Sequence, residues 1–139
     1  MADSGPVVFV YQRMLPYHQA RFAAVTEALR RQGQACVALE VASFDRGYGQ
    51  LSDGSPTPVN GAAQVVCLFR GADYLDLSAK QVAAAVFDAL RRLAPSTVFA
   101  PAPAFAEGAG VLHYKVRHGG RLVLMDDAWG ATDKRGRLT

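Results

Sequence analysis

Five short apolar runs, separated by stretches of helical periodicity, leave this chain few folds to choose from. They are 6–10 (PVVFV), 35–41 (ACVALEV), 62–69 (AAQVVCLF), 97–100 (TVFA) and 121–125 (RLVLM). A run that is apolar throughout, and not only at every second residue, describes a strand buried on both faces, as in parallel sheets. Between the first two runs, Phe22, Val25 and Leu29 recur at helical spacing and end in Arg30-Arg31-Gln32-Gly33, a basic last turn closed by glycine. Ser78 with Gln81 three residues later is a capping box. Ala79, Val82, Val86, Leu90 and Leu93 supply the apolar stripe behind it, and Pro95 ends that helix. A third stripe, Phe105, Ala109, Leu112 and Val116, stops at His118-Gly119-Gly120.

Strands alternating with helices predict βαβ units and a parallel sheet. Right-handed crossovers leave few arrangements, and the commonest order for five strands is 3-2-1-4-5. The expected fold is therefore a three-layer α/β/α Rossmann-like domain whose parallel sheet has at least five strands. The 139 residues, half of them hydrophobic, suit a single domain over 1–139. A chain of that size buries roughly two-thirds of its unfolded surface.

The formal charge of +3 is small and dispersed, unlike the basic stripe of a nucleic-acid-binding protein. Arg30, Arg31, Arg91 and Arg92 fall in the last turns of predicted helices, where they complement the helix dipole. Lys134, Arg135 and Arg137 have no such helix, and Lys134 and Arg135, with Arg13, are candidates for contact with an anion. Cys36 and Cys67 sit inside strand-like runs and read as structural thiols, with no metal-binding spacing around them. No signal peptide opens the chain and no apolar run approaches about 18 residues, so a cytoplasmic location is expected.

In sheets of this order, ligands bind beyond the carboxyl ends of the strands at the point where strand order reverses. That places the candidate site in the loops after strands 1 and 4, with the loop after strand 5 on the same rim. The first loop carries neither G-x-G-x-x-G nor a phosphate loop. It offers Tyr17, His18 and Arg21 within one helical turn, beside a helix N-terminus. His18 suits a general base or a hydroxyl ligand, or else it caps and packs. Asp126 and Asp127 end strand 5 and either accept from ligand hydroxyls or cap a turn. Trp129 either stacks on a ligand ring or anchors the core. His113 and His118 lie away from the rim, and three scattered histidines predict no metal site. Residues 43–60 contain no period, and with Gly61 they hold four glycines and two prolines. Such a long connection is functional or disordered, and its Phe44 and Tyr48 could cover a bound molecule.

The stretch Leu15-Pro16-Tyr17-His18-Gln19-Ala20-Arg21-Phe22 between strand and helix, with the second strand ending Leu39-Glu40, resembles the start of bacterial GT-B glycosyltransferases. Leu124-Met125-Asp126-Asp127-Ala128-Trp129 followed by Lys134-Arg135 is similar to the end of their first lobe. The resemblance covers nearly the whole chain through loose motifs. It implies an N-terminal, acceptor-side lobe of a hexosyltransferase-type enzyme, with Tyr17, Arg21, Asp126, Asp127 and Trp129 binding the acceptor and His18 as the catalytic candidate. The implied partners are a sugar or lipid-linked acceptor, with weak membrane-surface association, and a C-terminal donor-binding lobe; no nucleic acid is implied. The nucleotide-sugar donor would belong to the full-length enzyme, and this lobe alone would hold no cofactor and no metal. Where many relatives have glycines in the first loop, this chain has Met14-Leu15-Pro16, which does not favour a donor-phosphate contact there. The polar ending and the absence of paired glutamates point to a fragment inactive by itself.

Two alternatives stand beside this. A flavodoxin-like signalling module shares the strand pattern but calls for acidic residues after strand 1, which here ends Val10-Tyr11-Gln12-Arg13. It also calls for a lysine after strand 5, where Asp126 stands. A non-catalytic Rossmann-like small-molecule-binding or scaffold domain is the other.

Overall fold

The computed structural model describes residues 5–45 and 64–125. They form a five-stranded sheet in the order β3-β2-β1-β4-β5, and every pairing is parallel. The elements run β1 (Val7–Tyr11), α1 (Pro16–Arg31), β2 (Cys36–Phe44), β3 (Gln64–Asp73), a 3-10 turn (Tyr74–Asp76), α2 (Ala79–Leu93), β4 (Thr97–Ala100), α3 (Ala106–His118) and β5 (Arg121–Leu124). The chain is thus a three-layer Rossmann-like α/β domain, with the strand order its apolar runs predict.

Side chains of β1 alternate between two cores. Val8 and Val10 join Leu39, Val41, Val86, Leu90 and Val111 under α2 and α3. Val7, Phe9 and Tyr11 join Met14, Phe22 and Ala38 under α1. Both faces are filled, which is why all five β1 residues are buried and the strand reads as one continuous apolar run. Phe9 is the centre of the α1-side core, stacked on Phe99 at 4.6 Å and met edge-on by Phe22 at 5.8 Å.

Several expectations need correcting. β2 continues to Phe44, three residues past the predicted end, and β3 runs on to Asp73. The two strands stay paired through an irregularity between Ala42 and Phe44, where the Gly71 N–H donates to Ser43 Oγ at 2.8 Å. Ser43 and Phe44 therefore belong to a strand and not to a covering loop. Tyr48 and the rest of 46–63 lie outside the described residues. In α2 the capping box forms with both hydrogen bonds, and Val82, Val86, Ala89 and Leu90 face inward, while Ala79 stays exposed.

The predicted face of α3 is reversed. Phe105, Ala109, Leu112 and Val116 are exposed, and Glu107, Gly108, Gly110, Val111 and Tyr114 are buried. Backbone proximity explains this. A Cβ on Gly110 would stand 2.6 Å from the Ala83 carbonyl oxygen of α2, and one on Gly108 would stand 2.1 Å from that of Ala102. Only glycine permits an approach that close, so the bulkier apolar residues occupy the outer side.

Both cysteines are free thiols. Burial, with Glu40 adding to it, pushes the Cys67 thiol up to about 11, and burial also raises Cys36. Both stay protonated at neutral pH, as structural thiols do.

Candidate functional site at the strand-order reversal

The loops after β1 and β4 leave neighbouring strands for helices on opposite faces of the sheet. A cavity of about 590 Å³ opens between them. Tyr17, His18 and Arg21 of α1 line it, and so does Glu107 of α3, so it wraps over the carboxyl edge of the sheet at the reversal. Phe9, Leu15, Val25 and Met125 give it apolar walls. Its size suits a small organic ligand.

The β1–α1 loop is held by hydrogen bonds, not by glycines. Its Met14 N–H donates to Glu40 Oε2 at 2.7 Å, and the Ala42 N–H donates to the Gln12 carbonyl at 3.2 Å. Gln19 Nε2 reaches back to the Met14 carbonyl at 3.0 Å. Met14 and Leu15 are buried anchors, and Pro16 opens α1 at the position where a missing N–H costs nothing. Glu40 is almost fully buried and stands next to Tyr11 and Cys67 in the register, on the α1 face.

His18 Nδ1 lies 3.1 Å from the Arg13 carbonyl. A carbonyl can only accept, so Nδ1 carries the proton and, in the neutral ring, Nε2 carries the lone pair. The ring packs between Tyr11, at 4.7 Å, and Tyr17, at 4.1 Å, and the Arg21 guanidinium sits 5.9 Å above the Tyr17 ring. His18 packs against both tyrosines without capping α1, whose N-cap Leu15 receives no side-chain cap bond, and the ring stays on the cavity wall.

Of the residues singled out from sequence, Arg13, Tyr17, His18 and Arg21 come together here. Asp126, Asp127, Trp129, Lys134 and Arg135 lie outside the described residues; Met125, just before them, lines the cavity. Phe44 does not line it. His113 and His118 pack around Phe87 between α2 and α3, away from the site. Among the described residues no group of three or more His, Cys, Asp or Glu is arranged to hold a metal ion. Among the same residues no helix is long and apolar enough to cross a membrane.

A second polar group lies at the same edge, on residues that no local motif marks. Gln12 Nε2 donates to Asp45 Oδ2 at 2.6 Å, and the Tyr74 hydroxyl donates to Glu107 Oε2 at 2.8 Å. Asp45 and Glu107 are almost completely buried. Burial, then the bond to Glu107, pushes the Tyr74 phenol well above its ordinary range, so it remains a donor at any physiological pH. The one sequence signal was position: each of these residues ends a strand, follows one, or opens a helix on the carboxyl edge.

Fold and site together define a Rossmann-like domain with a ligand-sized cavity at its switch point. No family model and no curated protein matches the chain.

Proposed function

We propose that this chain is the acceptor-binding lobe of a GT-B-type glycosyltransferase, holding a hydroxyl-bearing acceptor in the switch-point cavity. The observation that carries the reading is the convergence of Arg13, Tyr17, His18 and Arg21 on one cavity that has no glycine-rich phosphate loop. A cavity of that kind suits a molecule recognised through hydroxyls and ring stacking better than one gripped by a pyrophosphate. His18 would receive or orient the acceptor hydroxyl through Nε2, its Nδ1–H being spent on the Arg13 carbonyl. Asp126, Asp127 and Trp129, following Met125 in the chain, would add acceptors and a stacking surface. Lys134 and Arg135 would face an anionic group. The nucleotide-sugar would be held by a second lobe, and transfer would need both.

Calorimetry on the chain tests this with sugar acceptors against nucleotide-sugars. Acceptor binding that His18→Ala weakens about tenfold, the worth of one good hydrogen bond, is the expected result. Tight nucleotide-sugar binding by this chain alone overturns the acceptor-lobe assignment. The packing of His18 between two tyrosines favours one other reading, a small-molecule-binding module without chemistry. Under that reading His18→Ala leaves affinity unchanged where Tyr17→Ala reduces it.

A further inference from the structure

The far end of the cavity, at α3, holds a group that the reading above does not use. Glu107, the second residue of α3, lines the cavity and is 1% exposed. A buried carboxylate is costly unless its charge is compensated. Here the N-terminus of α3 and the Tyr74 hydroxyl supply part of that compensation. A carboxylate has about four acceptor positions, and Tyr74 is the described residue that donates to one of them. The side-chain amide on the cavity wall, that of Gln12, directs its Nε2 to Asp45. The other wall residues at this end, Val10, Pro101 and Phe105, carry no side-chain donor.

We propose that Glu107 is the specificity-determining residue of the cavity, accepting a hydrogen bond from a hydroxyl or ammonium group of the bound molecule. The inference rests on the cavity being a ligand site, and it narrows the ligand class. The molecule carries a donor at the α3 end of an apolar or aromatic body that lies against Phe9, Leu15, Val25 and Met125. Tyr74 is a positioning residue that holds Glu107 Oε2 and leaves the carboxylate oriented toward the ligand.

Binding of three probes that share one aryl group tests the idea on the full chain. They are 4-nitrophenyl β-glucoside with hydroxyl donors, 4-nitrophenethylamine with an ammonium donor, and 4-nitroanisole with none. Glu107→Gln keeps the shape and an oxygen for Tyr74, and a thermal melt confirms folding. The expected result is about a tenfold or greater loss for whichever donor probe binds the wild type, the gap between charged and neutral acceptors. Binding of 4-nitroanisole should stay within about twofold of wild type, there being no donor bond to lose. Tyr74→Phe should shrink the ratio between donor probe and anisole, which a merely structural role would not do. Equal affinities in wild type and Glu107→Gln overturn the role of Glu107 and leave the cavity reading standing. A wild type that prefers 4-nitroanisole to both donor probes overturns it too. A wild type that binds none of the three removes the inference together with the reading beneath it.

Discussion

Helices α2 and α3 lie on the same face of the sheet, pack against each other, and carry apolar stripes of similar spacing, yet they use those stripes in opposite ways. Val82, Val86 and Leu90 of α2 point into the core and are almost completely buried. Leu112 and Val116 of α3 point out, as does Phe105 at its N-cap, with Val116 75% exposed. The helices differ in how they meet their neighbours. Alpha-2 meets the sheet through branched side chains, so its core is built from bulk. Alpha-3 meets α2 and the β4–α3 loop through Gly110 and Gly108, close enough that backbone faces backbone. Periodicity identifies a helix, but the distance of approach decides which side of it turns inward.

The comparison breaks hardest at Gly108. In Gly108→Val the first added carbon alone would sit 2.1 Å from the Ala102 carbonyl oxygen and 2.5 Å from that of Pro101. Both are backbone atoms, so neither can rotate away. The expected loss is about 4–5 kcal/mol, among the largest for a point change, read from chemical denaturation. A loss below about 1 kcal/mol, the centre of the distribution for point changes, would mean that α3 is not seated as described. Leu90→Ala in α2 is a different kind of damage, a cavity under a helix that packs by volume. Leu90 is fully buried, and a loss of about 3 kcal/mol is expected in the same assay.

The same contrast separates what the sequence makes legible from what only the packing decides. The strands and their order were legible because both cores draw on continuous runs such as Val7–Tyr11, and crossover handedness does the rest. The outer ends of β2 and β3 were not, because Ser43, Arg70 and Gly71 look like turn residues until the Ser43–Gly71 bond pairs them. Tyr17, His18 and Arg21 were legible because they occupy the first turns of the helix that follows β1 in the chain. Glu40, Asp45, Tyr74 and Glu107 were not. What gives each of them a role is a partner 26 or 33 residues distant, and nothing local separates a buried acid from a surface one. Asp126 to Trp129, singled out from the sequence, lie outside the described residues.

The smallest expected effect is also the most discriminating. If the outward stripe of α3 is solvated, Val116→Lys removes little packing, since three-quarters of Val116 is already exposed. Lysine has the better helix propensity because valine loses χ1 freedom in a helix. A cation in the last turn, beside Lys115, Arg117 and His118, also meets the negative end of the helix dipole. The variant should therefore match the wild type or exceed it by a few tenths of a kcal/mol, a change that denaturation midpoints resolve when the slopes agree. A loss above about 1 kcal/mol is the size expected when a packed apolar contact is cut, and it would put α3 in the same class as α2.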